Sequence, residues 1–480
     1  MGTVRFFRHS TQLFRYYVPT EFILLGLIEF LILFLSLHLG LELRFWGQDN
    51  WEELIGSTTT KGLLYAVVMQ LSLLAFGVYQ RQTGRFVEAM LLRIASGLLL
   101  GLIPLGVSFY LAPMFFLGRG VLAIAVAISF VLIMIVRLIF RKVVKERNMW
   151  SRVLVLGSGK SADLIRQAKQ DGELKGLSII GYVTNAGENH DVAAPAAERP
   201  SAAITLDQPL VQYVEETDID EIVLAVDDRR KSALPAIELL DCKMSGIDIL
   251  EMVSFFERRT GKIRLDVLYP SWLYLSEGFH ESAFRDAMKR TFDIAVALLL
   301  LPIALPVMLL CSVAILIESK GRGGVIYRQT RVKRDNMPFQ IYKFRSMVTD
   351  AEQDGVARWA SKDDSRITRV GAIMRTLRFD ELPQLFNVLK GDMSFVGPRP
   401  ERPEFVEQLS EKFPFYKERH RVKPGLTGWA QIRYPYGNTD EDALQKLQYD
   451  LYYVKNYSIY LDLLILLQTA EVVMLGKGAN

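Results

Sequence analysis

The chemistry in this sequence concentrates in one stretch, residues 374–401, MRTLRFDELPQLFNVLKGDMSFVGPRPE, where adjacent acids, basic residues and turn formers sit close together. Leu382, Leu385, Phe386 and Leu389 recur at helical spacing, Pro383 is tolerated only in a first turn, and Gly391 is a usual helix stop. A short helix is therefore expected to start near Asp380. Asp380 then lies at or beside the N-cap with Glu381 in the first turn, where unpaired amides and the positive dipole end favour carboxylates and phosphates. Around them stand Arg375, Arg378, Arg399 and Arg402, guanidiniums able to grip phosphate oxygens two at a time. Gly397, Pro398 and Pro400 hold the second arginine pair in a stiff turn. The combination reads as a diphosphate pocket. The bland alternative is a capped helix with surface arginine pairs, and an Asp-Glu dipeptide alone does not separate the two.

Context separates them. Upstream lies KFRSM at 343–347, on an expected strand over 337–344 that delivers Lys343 and Arg345 toward the pocket, preceded by another at 324–328. Downstream lie GPRP at 397–400 and KPGLTGWAQ at 423–431, the latter a glycine-containing loop, with an expected helix over 405–421 between them. With DELPQLFNVLKGDMS at 380–394, these segments make the chain from about Ala283 onward resemble the polyprenyl-phosphate hexose-1-phosphate transferases. These are the large monotopic phosphoglycosyl transferases that initiate bacterial exopolysaccharide and O-antigen synthesis.

The resemblance implies that Asp380 attacks the β-phosphorus of a UDP-sugar, that UMP leaves, and that undecaprenyl phosphate then takes the phosphosugar from Asp380. It implies Glu381 as general base or as the group positioning the acceptor, and Lys343, Arg345, Arg375, Arg378 and Arg399 as phosphate contacts. It further implies Mg²⁺ held by Asp380 with the diphosphate, a homodimer, and glucose or galactose as the hexose. The chemistry is reasonable on its own terms. One phosphoanhydride is exchanged for another, so the difficulty is bringing two anions together, which basic residues, a divalent cation and a covalent step all ease.

Half of the 480 residues (50%) are hydrophobic, and the positive mean hydropathy points to a membrane protein. A net charge of +4 is too small to argue for nucleic acid. Cys242 and Cys311 form no disulfide framework or metal cluster, as expected of a cytosol-facing protein. No cleavable signal pattern precedes the first apolar segment. Segments 22–41, 62–78, 94–117 and 121–140 are long and apolar enough to span a bilayer. Arg5, Arg8 and Arg15 precede the first, and Arg81, Arg85 and Arg93 separate the second from the third. Arg141, Lys142, Lys145 and Arg147 follow the fourth, whereas Asp49, Glu52 and Glu53 lie in the first loop. The positive-inside rule puts the N-terminus and everything after Arg141 in the cytoplasm, and the resemblance then implies a multi-pass protein of the bacterial inner membrane with its catalytic domain on the cytoplasmic face. Glu29 and His38 fall inside the first span, as functional groups, as polar contacts between helices or as positions near the boundary.

From Arg152 the texture becomes soluble α/β. A strand at 153–156 runs into GSGKSA at 157–162, a GxGxxA turn opening a helix; Leu154 excludes a Walker A loop. The next strand, 177–183, ends in Thr184 and Asn185 without the acid that would hold an NAD ribose. Strands at 221–226, leading to Asp227 and Asp228, and at 247–250 complete a Rossmann-like domain, with a loop at 185–201. A structural or regulatory role and a nucleotide site both stay open for it.

The segment 294–317 is uncharged and long enough to span, yet Pro302 and Pro306 sit in its middle and basic residues flank both ends: Arg285, Lys289 and Arg290 before it, Lys320 and Arg322 after. Each proline removes a backbone hydrogen bond and clashes with the turn before it, so a break is expected there. A re-entrant hairpin follows, as the resemblance also implies; a kinked fifth span is the alternative. Asp350, Glu352, Asp354 and Trp359 belong to a polar loop near the membrane face. Residues 451–467 read as an amphipathic helix lying on the membrane, or as a buried structural one.

The expected layout is a four-helix transmembrane domain (1–148), a Rossmann-like domain (149–265), a linker (266–283) and an α/β catalytic domain (284–480) with a re-entrant helix at 286–318. Two rival classes remain: a membrane-tethered NAD-dependent sugar dehydratase or epimerase resting on GSGKSA, and a non-enzymatic polysaccharide assembly protein.

Overall fold

The computed structural model describes residues 10–13, 16–48, 56–76, 78–79, 87–143, 150–157, 159–174, 176–183, 203–204, 208–227, 235–276, 278–279, 282–348, 366–434, 437 and 439–474. Arg5, Arg8, Arg15, Asp49, Glu52, Glu53, Arg81, Arg85, Lys145, Arg147, Ser158, Thr184, Asn185, Asp228, Asp350, Glu352, Asp354 and Trp359, and the 185–201 loop, lie outside the described residues.

A short antiparallel pair, β1 (Ser10–Leu13) and β2 (Tyr16–Pro19), leads into four helices: α1 (Thr20–Arg44), α2 (Thr58–Ala75), α3 (Val87–Leu111) and α4 (Arg119–Val143). Leu33, Leu37 and Leu41 of α1 are fully buried against Tyr65, Met69 and Leu73 of α2, while Leu27, Leu31 and Leu35 face outward. An apolar exterior around an apolar seam is what lipid demands of a helix bundle. Among the described residues, four helices are long and apolar enough to cross a membrane: α1, α3, α4 and the later α10 (Ala283–Glu318). The expected second span forms α2, which packs between α1 and α3 but carries Lys61 and Gln70 and falls short of the others in apolarity. Glu29 is a polar contact between helices. It is sealed from solvent, accepts from Arg137 at 2.9 Å and from the Tyr79 hydroxyl, and Gln70 donates to Tyr79 at 2.6 Å. His38 bonds locally to the Phe34 carbonyl, 3.0 Å away.

The α/β domain alternates β3 (Ser151–Leu156), α5 (Lys160–Gln170), β4 (Leu177–Val183), β5 (Ala203–Ile204), α6 (Leu210–Glu216), β6 (Glu221–Leu224), α7 (Ala236–Met244), β7 (Asp248–Glu251) and α8 (Met252–Thr260). Its parallel sheet runs β5-β4-β3-β6-β7, a doubly wound order with the switch point between β3 and β6. Val153, Val155 and Val223, without exposed surface, fill the core on one face. A short helix α9 (Pro270–Leu275) then leads to α10.

The expected break in α10 is not an interruption. The helix runs unbroken through Pro302 and Pro306, because a proline removes one donor and a membrane helix tolerates that loss without ending. Both ends of α10 are fastened to the domain that follows. At the start, Arg290 donates to the carbonyls of Val388 and Leu389, both at 2.6 Å, and Asp293 accepts from Ser394 Oγ at 2.8 Å and from the Phe395 amide at 3.1 Å. At the end, the Glu318 carboxylate accepts from the Val370 amide at 3.2 Å, and the Arg322 carbonyl accepts from Arg345 at 2.9 Å.

That domain holds an antiparallel hairpin, β8 (Ile326–Val332) and β9 (Pro338–Phe344), then α11 (Arg369–Thr376) and α12 (Gln384–Lys390). A parallel pair follows, β10 (Ser394–Val396) and β11 (Gly425–Thr427), with helices α13 (Pro403–Lys412), α14 (Trp429–Arg433), α15 (Asp440–Asn456) and α16 (Ile459–Met474) around it. Where one helix was expected over 405–421, α13 ends at Lys412 and a 3₁₀ segment runs over Tyr416–Arg421. Helix α16 departs from the picture of a helix lying on the membrane with its polar side in water. Asp462 is buried (1% exposed), pairs with Lys289 at 2.5 Å and accepts from Tyr453 at 2.6 Å, so the polar side faces protein.

Candidate active site

Arg375 lies in the last turn of α11, Arg378 takes a left-handed conformation (φ +60°), and Phe379–Glu381 form a 3₁₀ turn before Pro383 opens α12. Asp380 is thus not the N-cap. It sits inside the turn, and Gly391 stops α12 in a left-handed conformation, as expected.

The two adjacent carboxylates have opposite surroundings. Glu381 accepts from Lys343 Nζ at 3.0 Å and lies 3.5 Å from Arg399. Burial works against its charge, but those two cations win and hold its carboxyl at about 2. Asp380 is 8% exposed, its Oδ1 is buried without a hydrogen-bond partner, and burial followed by the neighbouring Glu381 charge pushes its carboxyl above the ordinary aspartate range. Lys343, Arg375 and Arg378 pull the other way without cancelling that. Paired carboxylates driven apart in this way take different roles.

Asp380 lines a cavity of about 610 Å³ whose wall includes Lys343, Arg345, Ser346, Arg375 and Arg399. Basic side chains outnumber acidic ones there, which suits a polyanion. Arg375 Nε donates to Ser346 Oγ at 3.1 Å, joining α11 to the end of β9. Gly371 of α11 has no room for a methyl group because the Ser346 carbonyl lies against it. Of the expected phosphate contacts, Lys343, Arg345, Arg375 and Arg399 line the cavity and Arg378 does not; neither does Glu381, the expected base or acceptor-positioning group.

The GPRP segment owes its shape to hydrogen bonds at successive carbonyls. Val396 O accepts from Lys289 at 3.0 Å beside the Tyr453 hydroxyl, whose proton goes to Asp462, and Pro398 O from the Gly425 amide at 3.0 Å. Arg399 O accepts from Arg419 at 2.9 Å, Pro400 O from Arg331 at 3.2 Å and Glu401 O from the Val332 amide at 3.0 Å. Sequence reasoning missed Arg331, Arg419, Gln431 and Lys446, all lining the cavity, and the buried Arg419–Asp450 pair (2.7 Å) behind Arg399. The signal for Gln431 was present in KPGLTGWAQ. For Arg419, which is nearly solvent-free, only the fold reveals the partners. The expected loop over 423–431 is instead β11 followed by the first turn of α14.

The GSGKSA turn does open α5, but its anion position is taken. The Asp227 carboxylate accepts the Lys160 and Ser161 amides, both at 2.8 Å, and these bonds hold its carboxyl below the usual range even though burial opposes it. A methyl group on Gly159 would strike the same carboxylate. Addition of NAD⁺ or CoA should accordingly leave the apparent Tm of the protein unchanged; a concentration-dependent rise would show that the turn exchanges Asp227 for a phosphate.

A family profile described as bacterial sugar transferase matches residues 284–476, and one described as CoA-binding domain matches residues 74–237. An Aeromonas hydrophila UDP-N-acetylgalactosamine-undecaprenyl-phosphate N-acetylgalactosaminephosphotransferase is 42% identical over 242 residues, 50% of this chain and 56% of that protein. An Escherichia coli UDP-glucose:undecaprenyl-phosphate glucose-1-phosphate transferase is 41% identical over 40% of this chain and 41% of its own length. The chain therefore spans about half or less of the length of these two relatives. A Salmonella typhimurium undecaprenyl-phosphate galactose phosphotransferase is 30% identical over 370 residues, 73% of this chain and 74% of that protein. On this match, and with Asp380 of DELPQLF, Arg399 of GPRP and Gln431 of KPGLTGWAQ lining one cationic cavity, the chain belongs to the bacterial sugar transferases, the polyprenyl-phosphate hexose-1-phosphate transferase family.

Proposed function

We propose that the protein transfers a hexose-1-phosphate from a UDP-sugar to undecaprenyl phosphate by way of a phosphosugar on Asp380. The observation that carries this reading is the orphaned, buried Oδ1 of Asp380 on the wall of a cationic cavity. In the first step a carboxylate oxygen of Asp380 bonds to the β-phosphorus and the anhydride bond to UMP breaks, UMP taking the electron pair. In the second, an oxygen of the lipid phosphate bonds to the same phosphorus and the bond to Asp380 breaks, restoring the carboxylate. Lys343, Arg345, Arg375 and Arg399 hold the diphosphate.

Glu381 serves better as an anchor than as a base. A carboxyl held at about 2 takes up a proton poorly at neutral pH, whereas its ion pairs fix Lys343 and Arg399 in place. Mg²⁺ fits the site in one way. Among the described residues no three His, Cys, Asp or Glu side chains converge, so a protein cage is not the mode, but one free carboxylate plus substrate phosphates is an ordinary Mg²⁺ environment, with Asp380 as the protein ligand. When bound, the ion would neutralise charge on the diphosphate.

The pH dependence follows. Because Asp380 titrates above the ordinary range, kcat/KM should fall on the acid side at a pH above 3.8 while Glu381 is still ionised. Glu381's folded pKa is depressed, so its contribution to stability is complete above about 4.5 and is lost only as pH falls toward 2. A flat activity profile down to the pH of unfolding would count against Asp380 as the reacting group.

The catalytic domain would face the cytoplasm of a bacterial inner membrane, with α10 bent at Pro302 and Pro306 so that the continuous helix enters and leaves one leaflet. Attachment of both ends of α10 to one domain supports this. Phe284 and Lys320 are exposed at its two ends, so Phe284→Cys and Lys320→Cys should react with an impermeant maleimide from the same side; reaction from opposite sides would mean a crossing helix.

The deciding experiment is UMP release by purified protein with Mg²⁺ and undecaprenyl phosphate, across UDP-glucose, UDP-galactose and UDP-N-acetylhexosamines. Glucose and galactose are the leading substrates, and the Aeromonas relative adds N-acetylgalactosamine. No release with any sugar by folded protein would remove the transferase reading.

A further inference from the structure

With Asp227 filling its glycine turn, the α/β domain must contribute otherwise, and its last helix shows how. Helix α8 ends at Gly261, held in a left-handed conformation (φ +67°), and the Gly261 carbonyl accepts from Trp429 Nε1 at 2.7 Å. The Trp429 ring lies directly on this glycine, so that a methyl group there would come within 3.1 Å of Cζ2. Trp429 is 1% exposed and stacks on Tyr452 with centroids 5.8 Å apart. The Ile263 amide donates to Gln448 O at 3.0 Å. One turn earlier, Glu257 is buried and accepts from Lys455 Nζ at 2.6 Å and Asn456 Nδ2 at 2.8 Å. The Trp429–Tyr452 stack joins α14 to α15, and the other contacts join the α/β domain to these two helices.

Those same two helices build part of the cavity wall. Gln431 is two positions beyond Trp429, and Asp450 of α15 holds Arg419, which in turn holds the Arg399 carbonyl. A buried tryptophan, a backbone bond and a buried ion pair at one interface leave α14 and α15 little freedom to drift.

We infer that the α/β domain is a clamp on the transferase site, with Glu257 and Gly261 as positioning residues that set Gln431 and, through Asp450 and Arg419, the Arg399 loop. This rests on the transferase reading, and the test separates the two. Glu257→Lys and Lys455→Glu are each made alone and then together, so that the swap restores the pair with its sign reversed. Each single variant should raise KM for the UDP-sugar about tenfold with a smaller change in kcat, on the scale of one charged hydrogen bond, and the double variant should recover most of the loss. Amide exchange over 425–433, read without any substrate, should speed up in the single variants and slow again in the double.

Unchanged KM and exchange in the single variants, or equal loss of kcat in all three, would overturn the clamp. If the charge reversals do not accumulate, Trp429→Phe removes the bond to Gly261 together with the part of the indole that lies on it, and unaltered exchange over 425–433 in that variant overturns it equally. Should the parent release no UMP with any sugar, the transferase reading fails while the exchange data still decide the clamp.

Discussion

Asp380→Asn is expected to melt above the parent while releasing UMP at least about a thousandfold more slowly, the scale on which covalent nucleophiles and their activators fail. Both halves come from the same geometry. The Asp380 carboxylate is buried with Oδ1 unpartnered, and nearby cations do not offset the loss of solvent. An amide of the same shape carries no charge to desolvate. Relief of about 1 kcal/mol would raise Tm by about 2–4 °C in a domain of this size. Asparagine has no anionic oxygen to bond phosphorus, so the first displacement stops. Glu381→Gln makes the contrast: it leaves Lys343 and Arg399 without their counter-charge and should lower Tm. Thermal scans of both variants beside the UMP assay check the pair. A lower Tm for Asp380→Asn would make Asp380 a structural ion partner, and near-normal turnover would remove it from the chemistry.

The contrast between these neighbours was invisible in the sequence. The dipeptide, Pro383 and Gly391 announced a short helix beside an anion site because caps and stops act within a few residues. Which carboxylate keeps its charge idle is decided by Lys343, 38 positions away, and Arg399, 18 away. The same limit explains Asp462. In sequence it breaks an apolar run and looks solvated, but its partner Lys289 is 173 positions distant. The prolines of α10 cost donors, as their type implies, without interrupting the helix, since one missing donor does not end a helix that lipid forces to satisfy its backbone. The α/β sheet was legible from its buried strand runs. The carboxylate in its glycine turn was not, because Asp227 lies 66 and 67 positions from the amides it caps.

The glycines of GPRP and KPGLTG carry the other large expectation. Gly425→Ala should leave little folded protein, and Gly397→Ala and Gly428→Ala should behave alike. Strands β10 and β11 run parallel, Ser394 beside Gly425 and Val396 beside Thr427, and the chain doubles back so tightly that the glycines face one another's backbone. A Cβ on Gly425 would overlap Gly397 N, Thr427 O and Val396 C; one on Gly397 would overlap Lys423 O; one on Gly428 would overlap Gly397 O. None of these positions has the left-handed φ that alone would call for glycine, so the requirement is space. Overpacking usually costs about 1–3 kcal/mol because side chains can turn aside. Here only backbone can move, and moving it would break the Gly425–Pro398 and Gly397–Thr427 bonds, each between 2.9 and 3.0 Å, that shape the Arg399 loop. The expected loss therefore exceeds that range, and any protein that survives should bind UDP-sugar poorly as well. Gly106→Ala is the control: a Cβ there meets nothing within 4 Å, so yield and Tm should match the parent. Normal accumulation and turnover of Gly425→Ala would mean that the two strands do not approach this closely, and that the two motifs owe their glycines to something other than each other.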